Sequence, residues 1–532
     1  MSMMRRFGGS VLGAMVVACA GMRVQAADTI LLSFGGLELP VAVAELETYI
    51  KTGQVPGKLQ FFISQVSSQD LEQMIATLKQ PIPVTADTVA NVFGTSTGKV
   101  LLNQLGRVVQ TQQGENGANA VKTALLQSAQ QAGGITFLNV LRQFPGDTIR
   151  LNLVQGLAIM REVNRYITQV NGVFTVLDNE FRQQARQSLP ANLPDLTQPG
   201  TFQWQVRELS LTDPARQRTL PVTVYLPNQE NALTVMLSHG LGDSHESFAY
   251  LAKHLASHGF GVILPDHPGS DAQKLQRVLE GQEQEYITPQ ELVDRPKDIT
   301  FVLNALTAQP EFAKALNLQR VAVVGHSYGG YTALAVGGAR LNLANLNQVC
   351  SQTEQGVGLN LSLLLQCPGR NLKNPPVQFR DERVVAVLAV NPVGSALFGA
   401  TGLAQVKIPT MLVTSTQDVA APSLYEQIMP FTWLGSSRRY LALIEGGSHF
   451  SVLEAGQTVV PLPVELVGAT PEVAQMYMKV LNLAFMQVHL ANRPEFAPFL
   501  TAAYARRLSR PSLPLQVLND PPIAPIQQSL RN

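Results

Sequence analysis

From residue 202 onward, short β-rich apolar runs alternate with helical segments, and this alternation restricts the possible folds more than any other feature of the chain. The runs cover residues 202–209, 220–225, 234–237, 261–265, 321–324, 384–390, 410–414 and 440–444. They are read as eight strands with intervening helices. The alternation predicts an α/β domain over residues 200–505, with a mostly parallel eight-stranded sheet and flanking helices.

Upstream the pattern changes. Residues 27–199 read as a mainly α-helical N-terminal domain, with apolar positions at i, i+3, i+4 spacing in 58–65, 68–78, 86–92, 98–105, 118–132, 136–144 and 151–183. A short hairpin is expected at 30–33 and 38–41, around Gly35 and Gly36, followed by a helix over 43–52 that Gly53 stops. Pro190, Pro194 and Pro199 mark a linker, and residues 506–532 read as a Pro/Gln-rich tail that wraps the surface or moves.

The first 26 residues have the layout of a secretory signal peptide. Arg5 and Arg6 precede an apolar stretch over 7–20, and Val24 and Ala26 stand at the −3 and −1 positions of a cleavage site before Ala27. That stretch is shorter than the ~20 residues a bilayer span needs. The alternative is a lipoprotein: Val16-Val17-Ala18-Cys19 resembles a lipobox, and cleavage before Cys19 would leave a lipidated, membrane-proximal terminus. A periplasmic or extracellular location follows from the first reading. In such an oxidising compartment the remaining two cysteines, Cys350 and Cys367, are expected to pair.

Lys and Arg total 39 against 38 Asp and Glu, so the net charge is +1, and no segment carries the basic excess of a nucleic-acid binder. Gly240 and Gly242 follow a strand, but the third glycine of a dinucleotide fingerprint is replaced by His245. His254 and His258 stand four apart without the glutamate of a zinc protease and read as solvent-facing residues at a helix end. No metal or organic cofactor is expected.

The chemistry is concentrated at Gly325-His326-Ser327-Tyr328-Gly329, which lies between a β-run and a helical run. There the Gly-x-Ser-x-Gly pattern describes a tight strand-to-helix turn that lifts Ser327 above the sheet edge. A serine hydroxyl needs a base, and in this arrangement acid and then histidine follow it in chain order. Of the eight histidines only His449 and His489 come after Ser327; His489 lies in an apolar helical run, whereas His449 follows a strand in a Gly-Gly-Ser-His loop. The acid is Asp418, just past the run at 410–414; Asn391, at the alternative acid position, cannot carry the charge, and Glu445 is the reserve candidate. Backbone N–H groups of Tyr328 and Leu241 are the expected oxyanion donors.

Taken together, the His239-Gly240-Leu241-Gly242 loop, the Ser327 elbow, Asp418 and His449 resemble the α/β-hydrolases. They are most similar to the dienelactone hydrolase and platelet-activating-factor acetylhydrolase group. Asp294-Arg295-Pro296-Lys297-Asp298 is similar to an Arg-Pro-x-Asp segment of that group, where a structural ion pair is expected. The N-terminal half resembles a helical domain of unknown function attached to such hydrolases in cyanobacteria. The resemblance implies an exported serine hydrolase cleaving short-acyl or lipid esters, including acetylated phospholipid, through an acyl-enzyme. The same residues would serve a thioesterase or peptidase, and a catalytically silent envelope protein is the non-enzymatic alternative. Inserts at 270–295 and 340–383 are candidates for a pocket wall or cap.

Overall fold

The computed structural model describes residues 27–34, 37–55, 57, 60, 81, 85–131, 134–355, 359–454 and 470–531. The signal segment with Cys19 and nearly all of the helices expected at 58–65 and 68–78 lie outside them. The chain divides into two compact units. One runs to Gly94 and resumes over Gly98–Leu157; the other comprises Ala158–Asn532 with Thr95–Thr97.

The first unit is not purely helical. The expected hairpin is present as β1 (Thr29–Phe34) and β2 (Leu37–Ala42), and Gly53 ends the helix Val43–Thr52 with φ +76°. β3 (Val109–Gln110) and β4 (Thr148–Asn152) complete a sheet of order β2-β1-β4-β3, with β4 parallel to β1. Helices Ala86–Gly94, Ser96–Val108, Ala118–Ala129 and Phe137–Arg142 agree with the spacing. Ile30, Val43, Ala124, Leu141, Phe144 and Ile149 form the core of this unit.

The second unit begins within the long helix Leu153–Gln184, well before the linker at 189–200. From Tyr166 the helix presents Val170, Val173, Phe174, Leu177 and Phe181 to the larger core, and Val173 and Leu177 are fully buried. That i, i+3/i+4 face is why compactness breaks at Leu157/Ala158 rather than at residue 199.

The large sheet comprises β5 (Trp204–Asp213), β6 (Arg218–Pro227), β7 (Ala232–Ser238), β8 (Gly261–Pro265), β9 (Leu316–His326), β10 (Val384–Val390), β11 (Thr410–Ser415), β12 (Arg439–Ile444) and β13 (Leu515–Asn519). Among the described residues its order is β13-β12-β11-β10-β9-β7-β8-β6-β5. The six strands from β12 to β8 are parallel; β5, β6 and β13 are antiparallel to their neighbours. Successive residues feed opposite cores: Val321 and Val323 enter one, Ala322 and Val324 the other. Burial on both faces is the physical content of the apolar runs.

Two expectations change. The sheet has nine strands, not eight, because the tail at 506–532 is not loose: β13 pairs antiparallel with β12, Leu441 opposite Leu518, and helices Ala502–Leu508 and Ile523–Ser529 flank it. The expected pairing of Cys350 with Cys367 holds, as a disulfide within the second insert.

Candidate active site

β9 ends at His326, and the helix Tyr328–Val336 begins one residue after Ser327. Between them Ser327 takes φ +55°, ψ −115°, a left-handed backbone that an L residue holds only when its surroundings enforce it. The enforcement is visible. Ser327 N–H donates to Val390 O at 2.9 Å, and Val393 N–H donates to Ser327 O at 3.3 Å. A Cβ on Gly325 would overlap the Gly329 carbonyl, and one on Gly329 would overlap Ser238 O, at the end of β7. Gly325 is therefore a steric requirement of the tight turn itself, and Gly329 of bringing the elbow against β7.

Asp418, past the end of β11, is buried and accepts from Ala421 N–H at 2.7 Å through Oδ1. Its Oδ2 lies 2.6 Å from His449 Nδ1. A proton on Nδ1 shared with this carboxylate leaves the lone pair of the imidazole on Nε2. The His449 ring is 4.8 Å from that of His326, next to Ser327, and His326 Nε2 donates to His449 O at 2.9 Å. Asn391 was legible only as a residue that is not the acid. At φ +43° its Nδ2 donates to His449 O at 3.3 Å and its Oδ1 accepts from Ser415 N–H at 2.8 Å, so it ties the histidine loop to the acid strand. Glu445 accepts from Gln516 on β13 and is not bonded to His449. His489 is buried against Tyr440, 3.1 Å from its hydroxyl, and burial pushes its imidazole down to about 4.

The oxyanion-type loop follows β7. Gly240 faces the elbow: a Cβ there would stand 3.5 Å from Ser327 Cβ and 3.2 Å from His326 Nδ1. Tyr328 opens its helix, so its N–H has no intrahelical acceptor. Gly242, at φ +70°, is closed off by Leu275 and the Tyr286 hydroxyl, which makes the insert at 270–295 a wall against this loop. Beside it, burial pushes the Asp243 carboxyl up to about 6; Oδ1 accepts from Ser244 N–H and the Ser247 hydroxyl, while Oδ2 has no partner among the described residues. His245 pairs with Asp266 at 2.8 Å, and that bond raises its imidazole above the ordinary range.

Behind the loop lies a buried network centred on the Asp294–Asp298 segment. The expected ion pair exists, but its cations come from elsewhere: Asp298 pairs with Arg216 at 2.7 Å and Arg218 at 3.0 Å, and Glu291 pairs with Arg218 at 2.6 Å. Arg295 itself is wholly buried and donates to neutral groups. Burial lowers its guanidinium to about 10.

The second insert supports the acid loop. Glu426 accepts from Gly394 N–H, Ser395 N–H and Oγ, Asn360 Nδ2 and Gln366 Nε2, at 2.5–3.0 Å. Gln427 Nε2 donates to Pro392 O at 2.8 Å and to Ala421 O at 3.2 Å. Contrary to the solvent-facing reading, His254 is buried, and burial drives its imidazole to about 3; His258 Nδ1 bonds its carbonyl at 2.9 Å.

Compared with known families, residues 26–152 match a family described as alpha/beta hydrolase of unknown function (DUF1400), and residues 235–462 match the alpha/beta hydrolase family. No curated protein matches the chain.

Proposed function

For a chain whose residues 26–152 and 235–462 match α/β-hydrolase families, we propose a serine hydrolase of carboxylic esters, close to the dienelactone hydrolase and platelet-activating-factor acetylhydrolase group. The observation that carries the reading is the 2.6 Å Asp418–His449 bond beside a serine held at φ +55° on a strand-to-helix turn. Ser327 Oγ attacks the ester carbonyl carbon as His449 Nε2 takes its proton, and Asp418 stabilises the imidazolium. Leu241 and Tyr328 N–H groups receive the oxyanion. Collapse of the tetrahedral species expels the alcohol, which receives the proton from His449. Water, activated by the same nitrogen, then releases the acid and restores Ser327. Export fits the Cys350–Cys367 disulfide, a bond of oxidising compartments, and no helix among the described residues is long and apolar enough to cross a membrane.

Replacing Ser327→Ala tests the assignment. Turnover of p-nitrophenyl esters and labelling by a fluorophosphonate are expected to vanish while circular dichroism is unchanged; retained turnover refutes it. A matched series of esters, thioesters and peptide amides identifies the acyl substrate.

A further inference from the structure

We propose that Arg295 is a positioning residue for ester hydrolysis, its guanidinium bracing from behind the loop and the helix start that carry the two N–H groups receiving the oxyanion. The inference rests on the serine-hydrolase reading and extends it to a residue of the helix Glu291–Thr307.

One half of the brace holds the loop after β7. Arg295 Nη2 donates to His239 O, and more weakly to Ser238 Oγ at 3.4 Å. With its carbonyl so held, His239 bonds through both ring nitrogens. The backbone N–H of His267 donates to Nε2 at 2.9 Å, which requires the ring proton on Nδ1, and Nδ1 donates to Gly240 O at 2.7 Å. That carbonyl belongs to the Gly240–Leu241 peptide, so the bond both aims and polarises the Leu241 N–H. Burial and the nearby Arg295 charge keep His239 neutral, as this tautomer demands.

The other half holds the elbow. The guanidinium carbon lies 4.5 Å from the centre of the Tyr328 ring. Arg295 Nε donates to Thr332 Oγ1 at 3.2 Å, and that hydroxyl in turn donates to Tyr328 O at 3.0 Å. Arg295 Nη1 completes the set by donating at 2.9 Å to Ser270 Oγ, which donates to Glu291 at 3.1 Å.

A fully buried cation aimed at neutral oxygens is expensive to maintain. The carboxylates of its own helix favour the charge from a distance but make no direct bond to it, because Glu291 and Asp298 are paired with Arg216 and Arg218. The four acceptors of Arg295 lie instead at the end of β7 and on the loop after it, on the elbow helix and at Ser270. Oxyanion donors act by being fixed before the charge develops, and a cation in a dry site adds to the field they supply.

The test compares Arg295→Met and Arg295→Lys with wild type on p-nitrophenyl butyrate, with folding followed by circular dichroism. Arg295→Met is expected to lose roughly 100-fold in kcat, as on loss of an oxyanion donor, with KM within about twofold; Arg295→Lys recovers part of it. Affinity for a trifluoromethyl ketone, which forms an anionic tetrahedral adduct, is expected to fall in parallel with kcat/KM. If Arg295→Met does not fold, Thr332→Val and Thr332→Ser decide the matter. Valine removes the acceptor for Nε and the donor to Tyr328 O, and serine restores both, so kcat should fall in the first and return in the second. A folded Arg295→Met with wild-type kcat, a loss confined to KM, or a Thr332→Val enzyme equal to wild type overturns this inference alone. Absence of Ser327-dependent turnover in wild type refutes the hydrolase reading beneath it.

Discussion

Opening the Cys350–Cys367 disulfide should destabilise the hydrolase unit by about 3 kcal/mol. The cysteines are 17 residues apart. Closing a loop of that size removes roughly 10 cal/mol/K of unfolded-chain entropy, or ~3 kcal/mol at 25 °C. At an unfolding entropy near ~2.1 cal/mol/K per residue, spread over Ala158–Asn532, the melting temperature should fall by roughly 4 °C. The bond also bears on the site. Gln366, next to Cys367, accepts from Ala396 and Leu397 N–H at 2.9 and 3.2 Å and donates to Glu426, which anchors Gly394 and Ser395 beside the acid loop. Loosening this strut should lower kcat severalfold before the unit melts. The assay is calorimetry and ester turnover with and without a phosphine reductant, beside the Cys350→Ser/Cys367→Ser double variant. Reductant and double variant should give the same shift, and reductant should leave the double variant unmoved. A wild-type melting temperature indifferent to reductant, with the bond verified by peptide mapping after alkylation, would refute the reasoning.

Two further perturbations probe the loop and the elbow. With its carboxyl raised to about 6 from an ordinary ~3.9, native Asp243 holds a proton that the unfolded chain has already released, so its contribution to stability falls as pH rises through that window and stays lost above it. Asp243→Asn should therefore raise the melting temperature relative to wild type at pH 8, by up to roughly 3 kcal/mol of stability, with the gap closing near pH 4; parallel pH profiles would contradict this. Gly329→Ala would force a Cβ into Ser238 O and to 2.7 Å from His239 O, both rigid backbone. The unit should lose about 1–3 kcal/mol by denaturant titration, and displacement of the loop should cost about 100-fold in kcat; an active, fully stable variant would show that the elbow is not packed this way.

What could be read in advance follows from how far apart in the chain the determining residues lie. β8 and β10 have the expected bounds because apolar runs between breakers carry the signal within themselves, whereas β9 begins earlier, at Leu316, since Asn317, Gln319 and Arg320 interrupt its apolar pattern. β13 was hidden by its flanks, Pro511, Pro514 and Pro521, and by a partner strand some seventy residues away. β4 was hidden likewise: five residues long, it pairs with β1 from more than a hundred residues off and ran unbroken into the pattern of the following helix.

The candidate site divides on the same line. Ser327, Asp418 and His449 each follow a strand in a fixed chain order, so their positions, and the Asp418–His449 bond, were legible from residue type and place together. Arg295 was legible only as a member of an ion-pair motif. Its segment could not reveal that Arg216 and Arg218, on the β5–β6 hairpin, would satisfy Asp298 and Glu291 instead. Once those cations arrive, Arg295 is released from the carboxylates and its donors turn to the β7 loop and the elbow helix. A residue that supports the reaction from behind is thus specified by the competition for its partners, which exists only after the sheet has brought the hairpin, the helix and the elbow together.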